Sequence, residues 1–305
     1  MMTIVFILAS AIVFPGIILR AKSILAGRKG PGMLQPIKDV ALLFQKGNVI
    51  STTTSVIFKM APAVGLASVI SAILVLPFGP FPALVSFNGD IVFFAYMLGL
   101  GKFFLILAAL DTGSAFEGMG ANREALYSML TEPAFFILTG TLAMLTGYTS
   151  FNEILVGLYN PNNSYILIYS ILSVIILAQI MQVENSRLPV DDPKTHLELT
   201  MVHEVMILDY SGFDKALIHI TSWIKFAMYS TLIFDVLIPV RWSITLQLGL
   251  FALVIVLMAV YIGFIESFKA RNKIGRNPAF LFTISSLALL AFVVALILTE
   301  KMIVL

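Results

Sequence analysis

The sequence predicts an all-α integral membrane protein with eight transmembrane helices, an amphipathic interfacial helix after the first, and both termini on the outer side. Of its 305 residues, 59% are hydrophobic and 12% are charged, whereas soluble domains average about 45–50% and 25%. Its apolar residues form continuous runs of roughly 20, the length that crosses hydrocarbon as a helix. Its basic residues collect in alternate loops. Because the runs do not alternate polar and apolar positions, a membrane β-barrel is excluded.

Eight apolar runs give the predicted spans. They cover residues 2–20, 60–78, 88–110, 125–147, 164–183, 216–239, 247–266 and 280–299. The sequence shows no internal repeat, and no soluble domain lies between the spans, so we expect one membrane domain over residues 1–305. The first run has no basic residue before it and no A-x-A-like site after it, which indicates a retained helix rather than a cleaved signal peptide.

Orientation follows from the lysine and arginine residues. Fifteen of the 19 lie in or beside four loops, and only Arg241 and Lys301 lie on the opposite side. Positive charge collects on the cytoplasmic side of membrane proteins. We therefore expect the cytoplasmic loops to be residues 21–59, 111–124, 184–215 and 267–279. An even number of spans then places both termini outside.

The first loop contains the predicted interfacial helix. Pro36 is suited to the first position of a helix, and apolar residues follow at i, i+3, i+4 and i+7: Ile37, Val40, Ala41 and Phe44. The residues predicted to face away are Lys38, Asp39, Gln45 and Lys46. Such a helix either lies at the membrane interface or packs beneath neighbouring spans, and both alternatives stay open.

Composition excludes several classes of function. The chain has no cysteine, so it holds no disulfide, iron–sulfur cluster or thiolate metal site, and any redox centre belongs to a partner. His196 and His203 are seven residues apart without a suitably spaced third ligand, so we expect no metal site. The net charge of +2 is small and scattered, which argues against nucleic acid as a partner.

Three charged residues lie at matching depth inside predicted spans. Lys102, Glu132 and Lys225 lie eight to ten residues from the cytoplasmic ends of their helices, which is about 12–15 Å deep. Ionisable residues at that depth usually face the bundle interior and mark an ion path. The alternative is a static salt bridge of Glu132 with Lys102 or Lys225.

Glu132 also belongs to a pattern along its own helix. Glu124, Ser128 and Glu132 are spaced by four and could form a ladder from the cytoplasmic surface inward. Pro133 removes a backbone donor and frees the carbonyl of Met129, which would make room for water beside the acid.

The densest group of charges is the stretch from Glu184 to Gly212. Its six carboxylates are Glu184, Asp191, Asp192, Glu198, Glu204 and Asp209. Pro189 and Pro193 keep the first half from being helical. Thr195 and Glu198 have capping-box spacing, which predicts a helix of about 15 residues to Tyr210 with a buried side of Leu197, Met201, Val205 and Leu208. An acidic loop over several spans suits proton or cation delivery, and it also suits docking of a soluble partner.

Four further acids have local explanations. Ser114 and Glu117 have capping-box spacing, and Asp111 ends the third span, where it either caps a helix or accepts protons. Glu266 ends the seventh span, within reach of Lys269. Asp235 lies toward the outer end of the sixth span and fits either an exit group or an interfacial residue.

Several of these motifs resemble the H subunit of respiratory complex I, which is called subunit 1 in mitochondria. The matching elements are ENSRLPVDDP from Glu184, DYSG from Asp209, RKGPG from Arg28 with LQP from Leu34, the loop residue Arg123, and Glu132-Pro133. The compact RKGPG-x-LQP loop and the LDTGS block from Leu110 are more similar to the membrane subunit of energy-converting [NiFe] hydrogenases, which include formate hydrogenlyase and hydrogenase-4 type complexes.

The resemblance implies a multi-pass subunit of a prokaryotic inner membrane that joins a redox arm to an ion-translocating arm. It implies an acidic path that includes Glu132, Glu184, Asp191 and Glu198, to which we add Glu124, Asp111, Glu204, Lys102 and Lys225. It also implies that the first loop and the acidic loop face partners, with docking residues Arg28, Lys29, Arg123, Arg187, Asp192 and Asp209.

The implied partners are hydrogenase-like large and small subunits, an iron–sulfur subunit and antiporter-like membrane subunits, which would hold the [NiFe] centre and the clusters. One alternative is the quinone-site subunit of a complex I-like NADH dehydrogenase. The short first loop and the longer stretch between Glu198 and Asp209 depart from that branch. A stand-alone transporter would need the paired broken helices or inverted repeat that this sequence lacks. A passive membrane anchor is the fourth possibility.

Overall fold

The computed structural model describes residues 2–159, 166–192 and 201–304, and the regular secondary structure over these residues is helical, apart from one isolated bridge between Phe78 and Phe81. The helices are α1 (Met2–Leu25), α2 (Gln35–Gln45), α3 (Val56–Leu74), α4 (Asp90–Asp111), α5 (Ala115–Thr146), α6 (Phe151–Leu158), α7 (Ile166–Glu184), α8 (His203–Met206), α9 (Gly212–Leu237), α10 (Ile244–Phe268) and α11 (Asn277–Val304). A 3₁₀ turn, Ile274–Arg276, precedes α11.

A helix coincides with each of the eight predicted spans. Seven stretches among the described residues are long and apolar enough to cross a membrane, namely α1, α3, α4, α5, α9, α10 and Ile274–Ile297. The remaining one, Ile168–Glu184 in α7, is apolar but shorter. The all-helical membrane fold is therefore confirmed, whereas the count of eight spans and the side of the termini stay predictions.

One boundary differs substantially from the prediction. Helix α5 begins at Ala115, ten residues before the expected start of the fourth span, so most of the predicted loop 111–124 is helical. The apolar run that defines a span starts only where the helix enters hydrocarbon. A helix that extends beyond the membrane carries polar residues in its first turns, and a hydropathy window does not detect them.

Helix α9 is the centre of the bundle. It packs against α1, α2, α3, α6, α7 and α10, and 61% of its most apolar stretch is buried. Helices α3 and α4 form a close pair, as do α5 with α11 and α1 with α10. Residues that α9 turns toward its neighbours are thus held inside the protein rather than against lipid.

The amphipathic helix α2 lies on the bundle beside α9. It begins with Pro36 in its first turn, as predicted, and Pro36 and Val40 are buried. Ala41 and Phe44 are exposed, and Phe44 contacts the ring of Phe213 edge-on at 5.4 Å. The buried side is therefore narrower than the predicted apolar face, because α2 touches the bundle along one edge only.

The acidic stretch has the predicted non-helical first half. Residues 185–192 form turns, with a cis peptide bond between Leu188 and Pro189. The second half differs from the prediction over its described part, because α8 has four residues and the long helix to Tyr210 is absent from 201–210. The predicted capping pair Thr195 and Glu198, together with Leu197, lies outside the described residues.

Tertiary contacts explain why α8 is short. Met201 and Val205 are buried as predicted, but Leu208 is exposed. The chain turns after α8, and the ring of Tyr210 then stacks on that of Phe58 at 4.1 Å while its hydroxyl donates to the Phe58 carbonyl. These contacts with α3 replace the helix that the local signals favoured.

Candidate functional site

A lysine and two carboxylates meet inside the bundle. The Lys102 ammonium on α4 donates to Glu184 Oε1 at 2.7 Å and lies 3.9 Å from Glu124 Oε1. All three side chains are buried. The sequence left open a static pairing of Lys102 with Glu132, and the structure gives Lys102 a different partner, Glu184, at the end of α7.

These charges line an inner cavity of about 50 Å³. Helices α3, α4, α5, α7 and α9 all contribute to its wall, together with residues of the acidic loop. Lys225 of α9 also lines it and is partly buried. We call Lys102, Glu124, Glu184 and Lys225 the inner charge cluster. Its members come from four different helices, so no local sequence pattern groups them.

Glu132 lies at the flank of the bundle. It is exposed, contrary to the expectation that it faces the interior with Glu124 and Ser128, both of which are buried. Eight residues of an α-helix rotate a side chain by about 80°, so Glu124 and Glu132 do not share one face. The Ser128 hydroxyl has no hydrogen-bond partner among the described residues.

A second cavity joins Glu132 to the inner charge cluster. It measures about 50 Å³ and is lined by residues of α4, α5, α7 and α9, including Tyr96, Glu132 and Tyr229. Lys102 and Glu184 line this cavity as well as the inner one. The two cavities therefore meet at the Lys102–Glu184 pair, and the outer end of the second lies at Glu132.

A larger cavity, which we call the vestibule, adjoins the inner cavity on its other side. It measures about 240 Å³ and is bounded by α1, α2 and α9 together with the acidic loop. Asp39, predicted to face away from the bundle, is among its lining residues. Four residues line both the vestibule and the inner cavity: Asn185, Ser186, His203 and Ser222.

His203 is the ionisable member of that shared wall. Burial lowers the pKa of His203 to about 3, and the positive charge of Lys225 adds to the effect. The imidazole is therefore neutral at neutral pH. Because a neutral imidazole has one donor and one acceptor nitrogen, His203 can relay hydrogen bonds between the vestibule and the inner charge cluster.

Glu266 of α10 fixes the acidic loop to the bundle. Its buried carboxylate accepts from Lys22 of α1 at 2.5 Å and from Arg187 of the loop at 3.1 Å. The Arg187 guanidinium also lies over the ring of Phe226. The expected pairing with Lys269 is wrong, because Lys269 lies over the ring of Phe280 instead.

Asp191 joins the two described halves of the acidic stretch. Its carboxylate is buried and accepts from Arg271 at 2.8 Å and from the backbone N–H groups of Val202 at 3.2 Å and His203 at 3.0 Å. Asp191 therefore positions α8, and with it His203, at the wall of the vestibule.

Two other predicted acids stabilise the start of a helix and a turn. Asp111 accepts from the backbone N–H of Ser55 at 2.7 Å, where α3 begins. Glu117 accepts from the N–H of Asp209 at 3.2 Å. Although Ser114 is the residue before α5, its side chain makes no capping hydrogen bond, so the predicted capping box is wrong. Glu117 instead fastens the turn that follows α8.

The other predicted site residues are divided between surface and interior. Arg28, Lys29 and Asp209 are exposed. Arg123 is partly buried and donates to the Met201 carbonyl at 3.0 Å. Glu204 lines the vestibule. Asp192 is partly buried beside Asp191, and Glu198 lies outside the described residues.

No metal centre is found within the described part of the chain, where no group of three or more histidine, aspartate or glutamate side chains is placed to hold an ion. The arrangement instead offers carboxylates, lysines and a neutral imidazole along adjoining cavities. These groups bind and release protons without redox chemistry of their own.

Comparison with known proteins gives matches over most of the chain. A family model described as NADH dehydrogenase matches residues 1–298. The hydrogenase-4 component C of Escherichia coli (strain K12) is 27% identical over 287 residues, which is 90% of this chain and 88% of that protein. The formate hydrogenlyase subunit 4 of the same strain is 28% identical over 297 residues, covering 93% of this chain and 94% of that protein.

A further relative and a solved structure extend the comparison. The H subunit of the NADH-quinone oxidoreductase of Bordetella avium (strain 197N) is 26% identical over 210 residues, or 66% of this chain and 58% of that protein. A chain from the membrane-bound sulfane sulfur reductase, an archaeal respiratory membrane complex, superposes with a TM-score of 0.81 at 18% identity and covers 96% of this chain and 98% of its own. At that identity the superposition shows a shared fold.

Proposed function

Since the chain belongs to the NADH dehydrogenase family, we propose that it is the membrane coupling subunit of a hydrogenase-like complex of the formate hydrogenlyase or hydrogenase-4 type. The two hydrogenase relatives align over about nine-tenths of both chains, whereas the NADH-quinone oxidoreductase relative aligns over 58% of its own length. The proposed subunit docks a redox arm and links electron transfer to translocation of H⁺ or Na⁺.

The proposed setting is the inner membrane of a prokaryote, with eight spans and both termini outside. Helix α7 has 19 residues, and at 1.5 Å per residue it reaches about 28 Å, close to the thickness of the hydrocarbon core. The proposed partners are hydrogenase-like large and small subunits, an iron–sulfur subunit and antiporter-like membrane subunits. The exposed Arg28 and Lys29 on the first loop suit contact with the soluble arm.

The observation that carries the proposal is the inner charge cluster and its continuation to Glu132. Two lysines, Lys102 and Lys225, border the two adjoining cavities with three carboxylates, those of Glu124, Glu184 and Glu132. One added proton balances the excess negative charge of such a set, and uncompensated charge in a low-dielectric interior is costly. The set therefore suits binding of a single proton.

The path runs from the vestibule to the flank. Protons enter at Glu204, pass His203 and Ser222, reach the inner charge cluster, and leave the chain at Glu132 toward an antiporter-like membrane subunit. Because Glu266 and Asp191 hold the acidic loop that forms part of these walls, a change of charge or position in the docked redox arm alters the path.

The test compares sealed inverted vesicles that contain the whole complex with wild-type chain, Glu132→Gln or Glu153→Gln. Glu153 is an exposed glutamate on α6 and serves as the control. We expect Glu132→Gln to retain electron transfer by the soluble arm and to lose the coupled ion gradient, while Glu153→Gln keeps both. Normal pumping by Glu132→Gln contradicts the proposed path.

A second candidate function is binding of a quinone in the vestibule. This cavity of about 240 Å³ has an apolar side of Ile18, Leu19, Val40 and Leu43 beside its charged residues, and small-molecule sites combine such surfaces. A photoreactive quinone analogue that labels residues 15–43 or Trp223 in the intact complex, and that free quinone displaces, supports this alternative. Labelling that free quinone leaves unchanged contradicts it.

A further inference from the structure

A second buried polar group lies at the opposite end of the bundle from the inner charge cluster. It consists of Asp235 near the end of α9, Gln247 in the first turns of α10, and Gly79 in the turn after α3. We call these three residues the outer cluster. The Asp235 and Gln247 side chains are each 1% exposed, although both lie within a few residues of a helix end.

Asp235 has one satisfied oxygen and one unsatisfied oxygen. Its Oδ1 accepts the backbone N–H of Gly79 at 2.8 Å, whereas its buried Oδ2 has no hydrogen-bond partner among the described residues. Within the same residues, no lysine, arginine or histidine forms an ion pair with it. A buried carboxylate without a counter-charge is far less stable than the neutral acid.

Gln247 presents a matching acceptor whose orientation is determined. Its Nε2 donates to the carbonyls of Val240 at 2.8 Å and Trp242 at 2.9 Å. Exchanging the amide oxygen and nitrogen would point an acceptor at two acceptors, so the assignment is unambiguous. The Oε1 atom therefore points the other way, where it is buried and lacks a donor within the described chain.

Gly79 brings the two unsatisfied acceptors to one place. Its N–H contacts Asp235, and a Cβ atom at this glycine would lie 2.2 Å from Gln247 Oε1. Gly79 also has φ of +50°, a conformation that glycine adopts without strain. The turn after α3 thus allows the side chains of α9 and α10 to converge on the same residue.

We propose that the outer cluster is a proton-binding site, in which Asp235 is a neutral carboxylic acid whose Oδ2–H is directed toward Gln247 Oε1. A single proton then gives Asp235 a donor for the acceptor on Gln247, and both buried oxygen atoms have a hydrogen-bond partner. A sodium ion fits less well, since it needs several oxygen ligands and the cluster offers few that are not already bonded.

Two neighbouring features fit a proton site. The Tyr159 hydroxyl donates to the Val236 carbonyl at 2.5 Å, and burial raises the pKa of Tyr159 to about 12, so this phenol stays neutral. Gln247 holds the exposed turn at residues 240–242 through its amide group. Loss of the proton from Asp235 would place two acceptors together and loosen that turn. The proton site does not rest on the proposed function, whose path leaves the chain at Glu132.

The test is infrared spectroscopy of the purified complex, recorded as the difference between wild type and Asp235→Asn. The carbonyl stretch of a protonated carboxyl group lies above the amide band and is read directly. Asp90 is the matched control, because it is equally buried at an outer helix end but accepts from Ser150 and from the N–H of Phe151. Gln247→Met removes the proposed acceptor and leaves Asp235 in place.

We expect the protonated-carboxyl band to disappear in Asp235→Asn, to persist in Asp90→Asn, and to move to higher frequency in Gln247→Met. If Asp235→Asn fails to fold, the band position in Gln247→Met is compared with that in Asp90→Asn, and a higher frequency in Gln247→Met alone supports a proton on Asp235. A band unchanged in Asp235→Asn or Gln247→Met overturns the proposal, as does loss of the wild-type band when NaCl is raised at constant pH, which would assign a sodium ion. None of these readings depends on pumping, so failure of the proposed function leaves them interpretable.

Discussion

The ammonium of Lys102 lies 2.7 Å from the carboxylate of Glu184, and both side chains are buried. The two residues are 82 positions apart in the sequence and come from α4 and α7. Lys102 is also 3.9 Å from Glu124, so one ammonium serves two carboxylates. This triad lies where the two halves of the proposed path meet, and it is the first place where substitutions are informative.

Lys102→Met is expected to destabilise the protein strongly. Removal of one partner from a buried ion pair leaves the other charge uncompensated, which typically costs about 3–5 kcal/mol. The measurement is the denaturant dependence of tryptophan fluorescence in mixed micelles. Lys29→Met, at an exposed lysine, is the control and should change little. Adding Glu184→Gln to Lys102→Met should cost less than the sum of the single changes, and simple additivity would contradict a direct pair.

Glu266→Gln is expected to free the acidic loop. The change leaves Lys22 and Arg187 without their shared carboxylate, so residues 185–192 lose their main link to α1 and α10. We expect faster amide hydrogen exchange in that segment and weaker association of the soluble arm. Glu153→Gln on α6 is the control. Exchange that stays at the wild-type rate would show that Asp191 and the backbone contacts hold the loop alone.

Stability is expected to depend on pH through His203. Its imidazole has a pKa of about 3 in the folded protein and 6.5 ordinarily. Between these values the unfolded chain binds the extra proton, so stability falls as pH drops from 6.5 toward 3. His203→Gln should flatten this part of the profile of thermal midpoint against pH. Lys215→Gln should not, and equal slopes in both variants would contradict a neutral His203 imidazole in the folded protein.

Two glycines on α5 provide a matched pair. A Cβ at Gly120 would lie 2.3 Å from Val205 Cγ1 and 2.9 Å from the Val202 carbonyl oxygen, whereas one at Gly118 would have its nearest neighbour at 4.0 Å. Gly120→Ala should therefore push α8 away and cost about 1–3 kcal/mol. Gly118→Ala should be neutral or stabilising by about 0.5–1 kcal/mol, since alanine favours helices. Thermal midpoints of the two variants give the comparison, and equal values would contradict the close contact.

The helices were readable from the sequence because hydrocarbon requires long apolar runs. The pairing of helices inside the bundle could not be predicted from the sequence, because a helix that is apolar all round does not show which face meets protein and which meets lipid. Glu132 is an example. Its spacing from Glu124 suggested a shared helix face, but the rotation over eight residues turns Glu132 to the exposed flank.

The charged contacts show a second limit. Glu266 was expected to pair with Lys269, three residues away, and pairs instead with Lys22 and Arg187. Sequence spacing predicts only which residues are neighbours on the same helix, whereas these partners come from α1 and the acidic loop. The described part of the predicted helix to Tyr210 was lost for a similar reason, because Tyr210 is held by Phe58 of α3.

The position of Glu132 also bears on biogenesis. An ionised side chain at the middle of a span costs about 2.5–3.5 kcal/mol when it faces lipid at insertion, and Glu132 is exposed when the chain stands alone. If the proposed antiporter-like subunit covers that flank, a newly inserted copy is less stable until the two meet. Balanced synthesis of this chain and its neighbour would then protect both from quality-control proteolysis, and an unmatched copy would be short-lived.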